Sequence, residues 1–249
     1  MGQGSRARLW RDGGAHDRFA EVRARAIVRD VEATDSIYER TLAEGRVVLV
    51  RLPFDEEVLF PEEETLLTQT TAKSRRVSFV GGRAALRRAL SHFGVLRRPI
   101  MKDERGAPCL PEGFVGSISH KNEVAVALAS RVDGFSRGVD VERLQRPKTD
   151  IASRILRDEE LSIFESLPEK AATHDLLLRF SLKESIYKAI DPHLKRYVDY
   201  RECAVWPASN GEARVELFLE AGEPRLECHA SWFDLGEHVI TLARARVHR

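Results

Sequence analysis

The chain of 249 residues has 40 Lys and Arg against 39 Asp and Glu, a net charge of +1, with 43% hydrophobic and 32% charged residues. That length supports one large core or two small ones, and the balanced charge excludes a global pull toward nucleic acid or membrane. Cys109, Cys203 and Cys228 show no C-x-x-C spacing, which argues against a disulfide framework or zinc site and suits a reducing cytosol.

Residues 1–17 read as a loose leader without the apolar centre of a signal peptide. No apolar run approaches the roughly 20 residues that span a bilayer. A helix is expected over 18–41, with Phe19, Val22, Ile27, Val31 and Ile37 as core contacts. Residues 46–52 (RVVLVRL) predict a buried strand ending at Pro53, and a helix begins after Pro61. Residues 75–93 form an amphipathic helix despite Gly81 and Gly82, and Gly94 stops it.

The period then shortens. Residues 114–119, 124–129 and 137–142 are strand-like, with an Asp133-Gly134 turn between the last two. Residues 151–164 and 175–190 are helical, and 203–206, 213–219, 225–233 and 238–243 are strands. Helices followed by antiparallel strands thus occur twice, with a seam near 132–136. The expected fold is α+β in two similar halves, 18–134 and 135–249, each a small sheet packed with helices.

Several segments have chemical potential. From Thr65 to Lys102 nine basic residues occur with no Asp or Glu, a candidate anion site. Within it Arg83 can present a guanidinium fork to phosphate, and Arg87 lies one turn further on the same face. GSISH at 116–120 brings Ser117, Ser119 and His120 to the end of a strand as phosphate donors. GVDVE at 138–142 places Asp140 and Glu142 on one strand face, where a hard cation would offset their repulsion. FSLKESIYKA at 180–189 puts Glu184 and Lys188 four apart on one helix face. Each segment also has a structural reading: an acidic strand face, a surface i,i+4 pair worth about 0.2–0.5 kcal/mol, a structural histidine, a solvated basic helix.

Together, in this order and with the long gap between D-x-E and K-E-S-x-x-K, these segments resemble the two-lobed 4′-phosphopantetheinyl transferases, from about residue 60 to residue 189. The likeness is greatest to the branch serving siderophore and other non-ribosomal synthetases, and the carrier served, fatty-acid, polyketide or non-ribosomal peptide, stays open. The resemblance implies a pseudo-dimer with its site in the cleft between the halves. It implies Mg²⁺, with Mn²⁺ as a substitute, held by Asp140, Glu142 and Glu184. Glu184 would be the general base, directly or through a water, and Lys188 would both contact the coenzyme and act in catalysis. Arg75, Arg83, Ser119, His120 and Lys183 would contact coenzyme A, with Lys73 and Arg76 adding coenzyme or carrier contacts. The implied partners are coenzyme A and apo carrier proteins, with no nucleic acid and no membrane, for a cytoplasmic monomer. Two other readings stay open here: a Mg²⁺-dependent nuclease or diphosphate hydrolase, and a non-catalytic RNA- or nucleotide-binding module using the basic segment.

Overall fold

The computed structural model describes residues 32–34, 37–55, 57–147 and 150–248. Its elements in chain order are β1 (Glu32–Thr34), β2 (Ile37–Leu42), β3 (Gly45–Arg51), α1 (Pro61–Glu64), α2 (Lys73–Ser91), β4 (Phe114–Lys121), β5 (Val124–Arg131) and β6 (Ser136–Arg143). There follow α3 (Ala152–Ile155), α4 (Asp158–Glu165), α5 (Glu169–Leu194), β7 (Cys203–Pro207), β8 (Glu212–Leu217), β9 (Leu226–Leu235) and β10 (His238–Val247).

The strands form two antiparallel five-stranded sheets, ordered β1-β2-β3-β5-β4 and β6-β10-β9-β8-β7. Strands β3 (GRVVLVR) and β5 (VAVALASR) are apolar on both faces because both faces are covered. Val48, Val50, Ala125, Ala127 and Ala129 face Ala85, Leu86, Ala89 and Leu90 of α2. Their alternates Val47, Leu49, Val124, Val126 and Leu128 meet Val139, Val141, Ile240 and Leu242 of the second sheet. On the far side of that sheet, Leu178, Leu182, Ile186 and Ala189 of α5 lie on Val239 and Ala243. The order is helix, sheet, sheet, helix, with a shared core between the sheets.

Two glycines permit close approach. A Cβ on Gly81 would lie 2.1 Å from Leu52 Cδ2, so the glycines of α2 bring the helix down onto the first sheet. A Cβ on Gly138 would lie 1.8 Å from the Ser185 carbonyl oxygen, which sets β6 directly under α5.

Two expectations are corrected. Of the helix expected over 18–41, residues 18–31 lie outside the described residues, as does the 1–17 leader. Residues 35 and 36 also lie outside the described residues; 32–34 form β1 and 37–41 lie in β2, because Ile37, Tyr38 and Thr41 suit a pleated strand and pair with Val50, Leu49 and Arg46 of β3. The helix expected over 151–164 is interrupted at Leu156, whose extended backbone (φ −87°, ψ 139°) divides α3 from α4.

Candidate active site

Strand β6 alternates, so Val139 and Val141 enter the core between the sheets while Asp140 and Glu142 turn to the other face. Asp140 is buried and accepts three hydrogen bonds: from Ser119 Oγ at 2.7 Å, from Ser181 Oγ at 2.8 Å and from Lys188 Nζ at 2.8 Å. Ser181 and Lys188 are seven apart on α5 and so share one stripe of the helix, while Ser119 comes from β4 of the first half. Asp140 therefore joins three elements and both halves. Lys188 is further held by the Val139 carbonyl at 3.0 Å.

Glu142 lies one alternation further along. Lys121 Nζ reaches its Oε1 at 2.9 Å and its Oε2 at 2.7 Å. Burial pushes the Glu142 carboxyl up; Lys121 opposes this, and the neighbouring Asp140 and Glu184 reinforce it. Glu184 accepts a hydrogen bond from the Tyr200 hydroxyl, whose own pKa is raised by burial and then by Glu184.

The opposite wall is basic. Arg75, Arg83, Lys102 and His120 line a cleft of about 1470 Å³ together with Glu184 and Lys188. Burial lowers the Lys102 pKa, and Arg83 and Arg75 lower it further. His120 is depressed by burial, then by Lys188, Arg75 and Lys102, with Asp140 opposing. Burial brings Arg83 down to about 10 against the pull of Glu63. Arg83 Nε donates to the Ile100 carbonyl at 2.9 Å, and its buried Nη2 has no hydrogen-bond partner among the described residues. A buried guanidinium N–H without a partner, with Arg75 and Lys102 beside it, suits an anion.

Much of the remaining basic run is used elsewhere. Arg87 pairs with Glu57 and Glu63, Arg76 with Glu64, Arg88 with Glu39 and Arg97 with Glu57. Arg87, on the same helix face as Arg83, is a buried structural cation, because acids from outside the run fold back onto it.

Among the described residues, no three His, Cys, Asp or Glu side chains are drawn into a ready coordination sphere. The chain's own ammonium and hydroxyl groups meet the three carboxylates instead. The donor chemistry nevertheless suits a hard divalent cation. Asp140, Glu142 and Glu184 are all oxygen donors, and the first and last push the Glu142 carboxyl up, an excess of negative charge that such a cation would offset.

Residues 62–130 match the model described as the 4′-phosphopantetheinyl transferase N-terminal domain, and 136–243 match that of the 4′-phosphopantetheinyl transferase superfamily. Enterobactin synthase component D of Salmonella typhi is 32% identical over 182 residues, covering 71% of this chain and 75% of that protein. The chain belongs to the 4′-phosphopantetheinyl transferases. The 4′-phosphopantetheinyl transferase PptT of Mycobacterium tuberculosis is 34% identical over 147 residues, 58% of this chain and 63%, less than two thirds, of that relative. A solved complex described as Chronobacterium ammoniagenes ACPS-CoA has a TM-score of 0.39 at 19% identity, covering 47% of this chain and 100% of that chain.

In this phosphopantetheinyl transferase, Glu184, Lys188, His120, Arg75 and Arg83 line the cleft, while Asp140 and Ser119 are joined to it through Lys188 and Glu142 is held by Lys121. Lys183 does not join them. Its ammonium is buried against Glu160 at 2.6 Å, the Ile155 carbonyl at 2.7 Å and the Tyr200 carbonyl at 3.1 Å, and it does not line the cleft. Sequence reasoning missed Ser181, Tyr200, Lys102 as an individual residue, and Lys121. Lys121 was within reach, being two residues beyond Ser119 and so on the same strand face.

Proposed function

We propose that this chain transfers the 4′-phosphopantetheine group of coenzyme A to a serine hydroxyl of an apo carrier protein, releasing adenosine 3′,5′-bisphosphate. The carriers are those of siderophore and other non-ribosomal or polyketide assembly lines, in the cytoplasm. The observation that carries this reading is the cleft that gathers Arg75, Arg83, Lys102 and His120 with Glu184 and Lys188, the last of which bonds Asp140.

Arg83 and His120, with Arg75 and Lys102, receive the phosphorylated nucleotide end, and the spare N–H of Arg83 is satisfied by a phosphate oxygen. Asp140, Glu142 and Glu184 hold Mg²⁺, which when bound neutralises the charge of the diphosphate. Glu184 accepts the proton of the carrier serine hydroxyl, and the Tyr200 hydroxyl fixes which carboxylate oxygen remains free for it. Lys188 has two of its three N–H groups on Asp140 and Val139, so the third is free for the phosphate on which charge develops.

Mass spectrometry of a panel of apo-carriers incubated with the protein, coenzyme A and Mg²⁺ tests this. The expected product is a carrier bearing phosphopantetheine on serine, absent with chelator and with Glu184→Gln. Nucleotide or diphosphate hydrolysis without carrier modification would assign a phosphohydrolase instead.

A further inference from the structure

Building on the cation site proposed above, we infer that Lys121 is an intrinsic counter-cation for Glu142. The divalent cation must displace it, so Lys121 sets how tightly this chain holds that cation.

The geometry is specific. Ser119 and Lys121 share a face of β4, and each reaches the β6 residue 21 positions further on, Asp140 and Glu142 respectively. The two strands thus lie alongside with a constant offset, and the Lys121 ammonium is delivered to the second acid as the Ser119 hydroxyl is to the first. It reaches both carboxylate oxygens, at 2.9 and 2.7 Å, so an incoming cation finds neither free of a positive neighbour. Glu142 is 6% exposed, and a carboxylate that buried is not left bare. One cation must replace the other.

The two lysines of the cluster differ in how they are held. Lys188 is fixed by a peptide carbonyl as well as by Asp140, and its side chain is 25% exposed. Lys121 makes both of its close contacts with Glu142, and its side chain is 39% exposed. It stands at the end of β4, directly before Asn122 in a left-handed turn (φ 47°). Lys121 can therefore swing into water when a cation arrives, whereas Lys188 stays.

The test is Mn²⁺ binding by electron paramagnetic resonance, on the full chain with saturating coenzyme A and with no carrier present. Lys121→Met is expected to bind Mn²⁺ about tenfold more tightly than wild type, and Lys121→Arg, which keeps the charge, to match wild type. In a Glu142→Gln background, Lys121→Met should change Mn²⁺ affinity no further. Unchanged or weaker Mn²⁺ binding in folded Lys121→Met would overturn the inference, as would an equal gain without Glu142. Mn²⁺ binding by wild type that Asp140→Asn leaves intact would instead overturn the cation site itself, and this inference with it.

Discussion

Gly138 passes so close beneath Ser185 that a Cβ on the strand would lie 1.8 Å from the helix carbonyl oxygen and 2.9 Å from the Ala189 amide nitrogen. Backbone on one side and an interior helix on the other leave no flexible atom to yield. Gly138→Ala must push α5 away from β6, as overpacking does, at a cost of about 1–3 kcal/mol. Asp140 lies two residues along and Lys188 one turn along, so their 2.8 Å contact opens too. A thermal melt should fall by about 2–4 °C per kcal/mol, and turnover should fall with it. An unchanged melting temperature would show that the helix is not seated this closely.

Lys183 and Lys188 should fail differently. Lys183→Met leaves Glu160, fully buried, without its ammonium. Breaking such a pair costs about 3–5 kcal/mol, so denaturant unfolding should shift strongly while coenzyme A affinity of the folded fraction is unchanged. Lys188→Met leaves buried Asp140 its two serine hydroxyls but no ammonium, so some stability should be lost here too, but in the folded fraction kcat should fall more than coenzyme affinity. Loss of coenzyme binding with intact stability in Lys183→Met would return that lysine to the cleft.

Arg83 is tested with 3′-dephospho-CoA. If the spare Nη2 hydrogen takes a phosphate oxygen, wild type should prefer CoA over the dephospho form. Arg83→Ala should lose about 1.5–3 kcal/mol of that preference, the size of one charge-assisted hydrogen bond. Calorimetry reads both affinities directly, and equal discrimination by mutant and wild type would place the terminal phosphate elsewhere.

The state of His120 should link binding to protons. In the free protein its pKa is lowered by burial, then by Lys188, Arg75 and Lys102, with Asp140 alone opposing, so it is neutral near pH 7. A phosphate dianion in the cleft favours the imidazolium and raises that pKa. Binding then takes up a proton, and affinity for adenosine 3′,5′-bisphosphate should rise as pH falls below the ordinary histidine value of about 6.5. Calorimetry in buffers of different ionisation enthalpy should show uptake in wild type and less in His120→Gln. Equal uptake by both would exclude His120 as the group that titrates.

Local patterns were readable wherever they depend on neighbours in sequence. The alternation that puts Asp140 and Glu142 opposite Val139 and Val141 is one case, and the shared face of Glu184 and Lys188 is another. Lys183 was readable too: at about 100° per residue it stands roughly 140° around the helix from Lys188, facing away from the cleft. What depends on distant partners was hidden. Residues 37–41 mix Ile37, Tyr38 and Thr41, which favour a strand, with Glu39 and Arg40, which a helix takes readily, and pairing with β3 decides between them. Arg87 and Arg83 share a helix face, yet Glu57 and Glu63 fold back to bind the first closely, while Glu63 stands 3.6 Å from the second, whose Nη2 keeps a free N–H. A run of like charge in sequence does not predict which members are neutralised in space.

The shared core between the sheets has a consequence for direction. Two identical halves would present two equivalent mouths, and a long polar ligand could enter either way round. Here the first half supplies cations on α2 and β4, and the second supplies carboxylates on β6 and α5. The symmetry of the scaffold is thereby cancelled by its charges. An anionic ligand therefore meets different partners in the two halves, so the two ways round are not equivalent.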